Sequence, residues 1–142
     1  MLLPFIAMAM PEGVPNGATK YGDNYYKVIS FKGTMPECKR EARKLNGSLV
    51  VIDSKAENDF VKGLLGNKQT WMSMFLEERR TAKKVEKSWK QFTSSGMSKA
   101  TYFNWDENRG IGNYALTDGT GLWKCANGLE IKLNYFVCEW KG

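Results

Sequence analysis

Two Ser/Thr-x-x-Glu boxes, Thr34-Met-Pro-Glu37 and Ser54-Lys-Ala-Glu57, fix where this chain can be helical. In such a box the hydroxyl accepts from the Glu amide, and the carboxylate reaches back to the amide of the Ser or Thr. Pro36 falls in the first turn, where a missing N–H does little harm. The first box predicts a helix to about Asn46, with Gly47 as a left-handed cap and Met35, Cys38, Ala42 and Leu45 on one face. The second predicts a helix ended by Gly66-Asn67, with an apolar stripe of Ala56, Phe60, Val61, Leu64 and Leu65. Outside them the signals are for strands: Asn24–Phe31, Leu49–Ile52, Thr70–Phe75, Trp89–Phe92, Tyr114–Thr117, Gly121–Trp123 and Tyr135–Trp140. Early helices followed by many short strands predict an α+β fold with antiparallel sheet. Residues 93–113, with several Ser, Gly and Asn, read as a long loop, and such loops often bind.

The chain has 142 residues, enough for one domain. Hydrophobic residues make up 42% and aromatic ones 13%, so a core can form. The net charge of +6 is spread along the chain and does not mark a nucleic-acid binder. There is no histidine, which excludes Ser-His and Cys-His catalysis and His-ligated zinc and argues against an enzyme. No apolar run is long enough to span a bilayer. Residues 1–19 divide into an apolar start and a linker. The start, Leu2 to Met10, reads as a degenerate signal peptide or as an apolar strand or tail; the linker, from Pro11, is rich in Pro, Gly and Asn. The folded domain is expected over 20–142. Its aromatic residues, Trp71, Trp89, Phe92, Trp105, Trp123 and Phe136, are read as core.

Seven short segments in order resemble one family, the C-type lectin-like domain. They are the aromatic first strand, Gly47-Ser-Leu-Val-Val-Ile52, Ala56-Glu57-Asn58, Trp71-Met-Ser-Met74, Asn104-Trp105, Gly121-Leu-Trp123 and Phe136-Val-Cys-Glu139. The resemblance covers about residues 21–141. It implies two helices flanking antiparallel sheets, a long loop held by the sheet core, and a secreted or extracellular binding module.

The departures bear on function. Members that bind sugar through calcium carry Glu-Pro-Asn or Gln-Pro-Asp in the long loop and Trp-Asn-Asp near the end, which supply oxygens to a hard cation. Here the loop reads Trp105-Asp-Glu-Asn-Arg-Gly110 without the proline, and the second segment reads Trp123-Lys124-Cys125. An ammonium and a thiol replace the oxygen ligands, so calcium is disfavoured and no cofactor is expected. The expected function is calcium-independent recognition of a protein or glycan through Asp106, Glu107, Asn108, Arg109, Asp118 and Lys124. A degenerate calcium-dependent lectin using Glu107, Asn108 and Asp118 is the alternative. Another is a toxin-like or structural subunit assembled through Cys125.

The resemblance also implies a bridge from the first helix to the last strand. Cys138 fits the last-strand position, and Cys38 lies about one turn from its usual partner site. Cys125 is left as a free thiol or as the bridge of a homo- or heterodimer. Between the Trp71 and Trp89 strands, Arg79, Arg80, Lys83, Lys84, Lys87 and Lys90 read as a solvated turn, with a basic strip for sulfated glycans, anionic lipid or an acidic protein as the functional reading. Asn46-Gly47-Ser48 is an N-glycosylation sequon on the predicted helix cap.

Overall fold

The computed structural model describes residues 10–93 and 95–142; the apolar start read as a signal falls mainly on residues 1–9, outside them. The elements run β1 Thr19–Tyr21, β2 Asn24–Gly33, α1 Met35–Lys44, β3 Ser48–Leu49, α2 Lys55–Leu65, β4 Gln69–Arg80, β5 Val85–Thr93, β6 Gly96–Lys99, β7 Tyr114–Asp118, β8 Trp123–Ala126 and β9 Leu133–Lys141. They form two antiparallel sheets, ordered β1-β2-β9-β3 and β6-β5-β4-β7-β8. The fold is α+β, two helices with two antiparallel sheets, as the capping boxes and strand signals predict.

The chain closes on itself through β2 and β9, which pair from Asn24↔Lys141 to Gly33↔Leu133. Thr70 Oγ1 ties the two sheets together by accepting from the Val137 amide at 2.8 Å. Trp71, Trp123, Tyr26 and Phe136 are fully buried, and Trp71 Nε1 donates to Gly33 O at 3.2 Å. Burying a side chain of that size contributes about 2–3 kcal/mol, so these rings anchor both core clusters. Val14 is buried in one of them, so part of the Pro/Gly-rich stretch packs on the core.

The helix caps depart from expectation in two places. The first box forms both bonds: Glu37 Oε1 accepts from Thr34 N at 2.9 Å, and Thr34 Oγ1 from Glu37 N at 3.4 Å. The second forms only one. Ser54 Oγ accepts from Glu57 N at 3.1 Å, but Glu57 turns to the Asp53 amide at 2.9 Å and the Tyr26 hydroxyl at 3.1 Å. A partly buried carboxylate follows the donors that reach it. After α1, Asn46 takes the left-handed conformation (φ 66°), and Gly47 does not. Gly47 is needed for room: a Cβ there would lie 2.6 Å from Cys138 Sγ and 2.9 Å from Glu139 O.

Other elements are shorter or longer than the pattern predicts. Of the 49–52 segment only Leu49 lies in β3; Val50 and Ile52 are buried beyond it, Val50 still bonded to Val137 O and the Ser73 amide. On α2, Ala56 is exposed and Asn58 takes the buried position. The polar stretch 77–90 is no solvated turn. It is the far half of a β4–β5 ribbon closed by residues 81–84, with Glu78↔Lys87 and Arg79↔Glu86 opposed. The predicted long loop also contains β6, paired with β5.

Candidate functional site

The long loop is held at its root by a buried polar tie. Trp123 N donates to Asn104 O and Asp106 N to Trp123 O, both at 2.8 Å. Asn58 accepts from Trp123 Nε1 at 2.8 Å and donates to Gly121 O at 3.0 Å. Gly121 O also accepts from Asn104 Nδ2 at 2.6 Å. Two strand contacts clamp the rest of the loop: Cys125 N donates to Arg109 O and Leu76 N to Asn113 O, both at 2.7 Å. Gly112 lies against the backbone of Ala126 with no room for a Cβ, which fixes the loop's path.

The loop's acidic and amide residues occupy separate positions. Asp106 Oδ1 accepts from the Asn108 amide at 2.9 Å, closing a turn within the loop tip. Glu107 and Asn108 are exposed. Asp118, at the end of β7, takes the amide and hydroxyl of Thr120 in the next turn. Lys124 stands on β8 opposite Leu116. No hydrogen bond joins Asp118 to Asp106, Glu107 or Asn108 among the described residues, and among them no three acidic, Cys or His side chains converge on one point.

Arg109 and Cys125 instead meet the ribbon. A groove of about 410 Å³ lies between the loop and one face of β4–β5, lined by Leu76, Lys87, Trp89, Arg109, Ile111 and Cys125. Leu76 and Trp89 are opposed across the ribbon, and Lys87 lies two residues along the same face from Trp89. Trp89 packs at 4.9 Å against Trp105, which the Arg109 guanidinium caps at 4.9 Å from the ring centroid. Such a cation over an exposed ring is worth about 0.5–1 kcal/mol. Ile111 is 98% exposed and Phe103, stacked beside Trp105, is 40% exposed. Trp89, Phe92 and Trp105, expected in the core, are only half-buried. Ile111 and Phe103 carry no sequence signal, because a lone apolar residue in a polar loop looks like any other loop residue.

The three cysteines are thiols. Cys38 and Cys138 are buried in the same apolar cluster, and burial pushes both up to about 12. The bridge implied by the resemblance is not formed in this structure. Cys125 is half-buried at the groove floor; burial raises its pKa, and the Arg109 guanidinium partly opposes that rise.

The basic strip divides. Arg79 and Lys90 lie on one face of the ribbon, Arg80 and Lys87 on the other, and Lys83 and Lys84 in its turn. Arg80 pairs with Glu78 at 3.2 Å and Lys84 with Glu86 at 2.7 Å. No described helix is long and apolar enough to cross a membrane.

Residues 29–140 match the family described as Lectin C-type domain. Human lithostathine shares the fold with a TM-score of 0.72 and 24% identity, over 96% of this chain and 99% of that one. The cow C-type carbohydrate-recognition domain of CD23 aligns with a TM-score of 0.70 and 19% identity, over 91% and 96%. A calcium-independent type II antifreeze protein aligns with a TM-score of 0.70 and 13% identity, over 90% and 94%. No curated protein matches the chain by sequence.

Proposed function

The chain belongs to the Lectin C-type domain family, and from that premise we propose that it is a non-catalytic, extracellular binding module that takes a protein or glycan ligand without calcium. The ligand lies in the groove between the long loop and the ribbon. One observation carries this reading: Ile111, 98% exposed, is presented beside Trp89 and Arg109 by a segment that backbone hydrogen bonds clamp on both sides. A rigidly held apolar side chain next to half-buried aromatic rings is a surface suited to being covered. Arg109 and Lys87 supply donors at the rim, which sets the orientation of a polar or acidic group on the ligand.

Independence from calcium is supported by how the oxygens are used. The Asp106 and Asp118 carboxylates each accept from their own turns. Calcium takes six to eight oxygens, and Lys124 and Cys125 hold positions where calcium-binding relatives have oxygen ligands. The fold also accommodates a calcium-independent antifreeze protein.

A glycan and protein array, probed once with calcium and once with EDTA, tests the reading. Binding retained in EDTA supports it. Binding that disappears in EDTA overturns it in favour of a calcium-dependent lectin.

A further inference from the structure

The other face of the ribbon carries a line of cations with few acidic partners. Lys90 and Lys99 are directly opposed across β5 and β6, an arrangement of like charges that disfavours the sheet. Arg79 continues the line along β4. Lys39 of α1 extends it at the other end, its ammonium 3.3 Å from the centroid of Phe92, and Arg43 stands one helical turn further on. Phe92 shares the face with Lys90, being two residues along β5. None of these five cations is in an ion pair among the described residues. The acidic groups on the face are Glu77 and Glu86, and Glu86 is held by Lys84. From the level of Phe92 to Arg79 the track runs about 20 Å at the usual rise of a strand.

We propose that this track binds a linear sulfated polysaccharide. Charge complementarity calls for a polyanion, since unpaired cations recur along one face: Lys39 over Phe92 stands one same-face step, about 7 Å, from Lys90, and Arg79 lies four residues, about 14 Å, beyond the level of Lys90. Two features separate the polyanions. A single-stranded nucleic acid needs free ring faces for its bases, whereas Phe75 and Phe92 stack on each other at 4.9 Å and Lys39 covers Phe92. An acidic peptide needs apolar anchors, whereas Met97 is the one large apolar side chain strongly exposed on this face among the described residues. At the α1 end the track opens on a hollow of about 350 Å³ lined by Lys39, Arg43 and Ser48, with Glu12 and the buried Glu139 as its acidic groups and Lys141 beside them. The exposed Ser48 hydroxyl donates to Glu139 O, which leaves its lone pairs to accept from sugar hydroxyls. The site lies on the opposite face of the ribbon from the long-loop groove, with Lys87 bordering both.

The test is heparin binding at physiological salt, with Lys99→Glu, Arg43→Glu and Lys83→Glu compared. All three change the net charge equally; Lys83 stands in the turn, off the track. Lys99→Glu replaces the Lys90/Lys99 repulsion by an opposed ion pair, so its melting temperature holds or rises and lost binding cannot come from unfolding. The expected result is heparin binding weakened about tenfold by Lys99→Glu and by Arg43→Glu, and less than about twofold by Lys83→Glu. Unsulfated hyaluronan does not bind. An equal loss in all three variants, no heparin binding by the native chain, or binding of DNA as tight as that of heparin overturns the proposal.

Discussion

Trp123 Nε1 donates to Asn58 Oδ1 at 2.8 Å, joining the root of the long loop to α2 across 65 residues. Both side chains are buried, and the Asn58 amide also serves Gly121 O. Asn58 thus adds a tie from α2 to the backbone bonds that hold the loop's root. Asn58→Ala strands the indole N–H and leaves Gly121 O with Asn104 alone, at a cost of about 1–3 kcal/mol. Urea denaturation followed by tryptophan fluorescence measures it, and an unchanged midpoint would show that the tie carries no stability.

The close approach at Gly47 and the backbone at Asn46 make opposite predictions for neighbouring residues. Gly47→Ala drives a methyl into Cys138 Sγ and the Trp140 ring nitrogen, and is expected to destabilise by about 1–3 kcal/mol. Asn46→Gly meets a φ of 66° that glycine adopts freely, so stability changes by less than about 0.5 kcal/mol. Calorimetry of the two variants settles the order.

Glu57 and Glu139 share the hydroxyl hydrogen bond of Tyr26, at 3.1 and 3.4 Å. Burial pushes the Glu57 carboxyl up to about 7 and also raises Glu139, although the Val51 amide and Lys141 oppose that rise. The unfolded value is about 4.3. Between these values the native state holds protons that the unfolded chain has released, so stability falls as pH rises from about 4.3 to about 7. Below that window the sign reverses. The Thr34 amide holds Glu37 down, and the Lys55 ammonium holds Asp59 down, so their stabilisation is lost on acidification. The melting temperature is thus expected to decline from pH 5 to pH 8 in the native chain and to decline less in Glu57→Gln. A rise over that window would contradict the assignment.

The thiols are expected to react in sequence. Cys125 sits at the groove floor, whereas Cys38 and Cys138 are fully buried. Iodoacetamide on the folded, unreduced chain should label Cys125 alone, and all three cysteines once the chain is unfolded in denaturant. A single labelled residue after unfolding would mean that Cys38 and Cys138 are bridged, and none would add an interchain bond through Cys125.

Much of this fold is readable from short-range chemistry. Thr34 and Glu37 announce α1 because both capping bonds are local, and apolar strands such as Tyr135–Trp140 announce themselves by burial. The far half of the ribbon does not. Glu78, Arg80, Lys87 and their neighbours form strand with most side chains in water, so no apolar alternation marks them. The site was legible only in part. Arg109, Lys87 and Cys125 stand out by type, but their convergence comes from two long-range clamps, Cys125 to Arg109 and Leu76 to Asn113. Lys99, Lys39 and Arg43 join Lys90 only through the β5–β6 register and the docking of α1, neither of which residue spacing reveals.

The most direct measurement is to compare Ile111→Asp with Asn108→Ala on the arrayed glycans and proteins, each in calcium and in EDTA. The groove reading predicts a native binding pattern that is the same in both buffers, kept by Asn108→Ala and lost in Ile111→Asp. A pattern that needs calcium, is lost in Asn108→Ala and survives Ile111→Asp would contradict it and return the ligand to the tip of the loop.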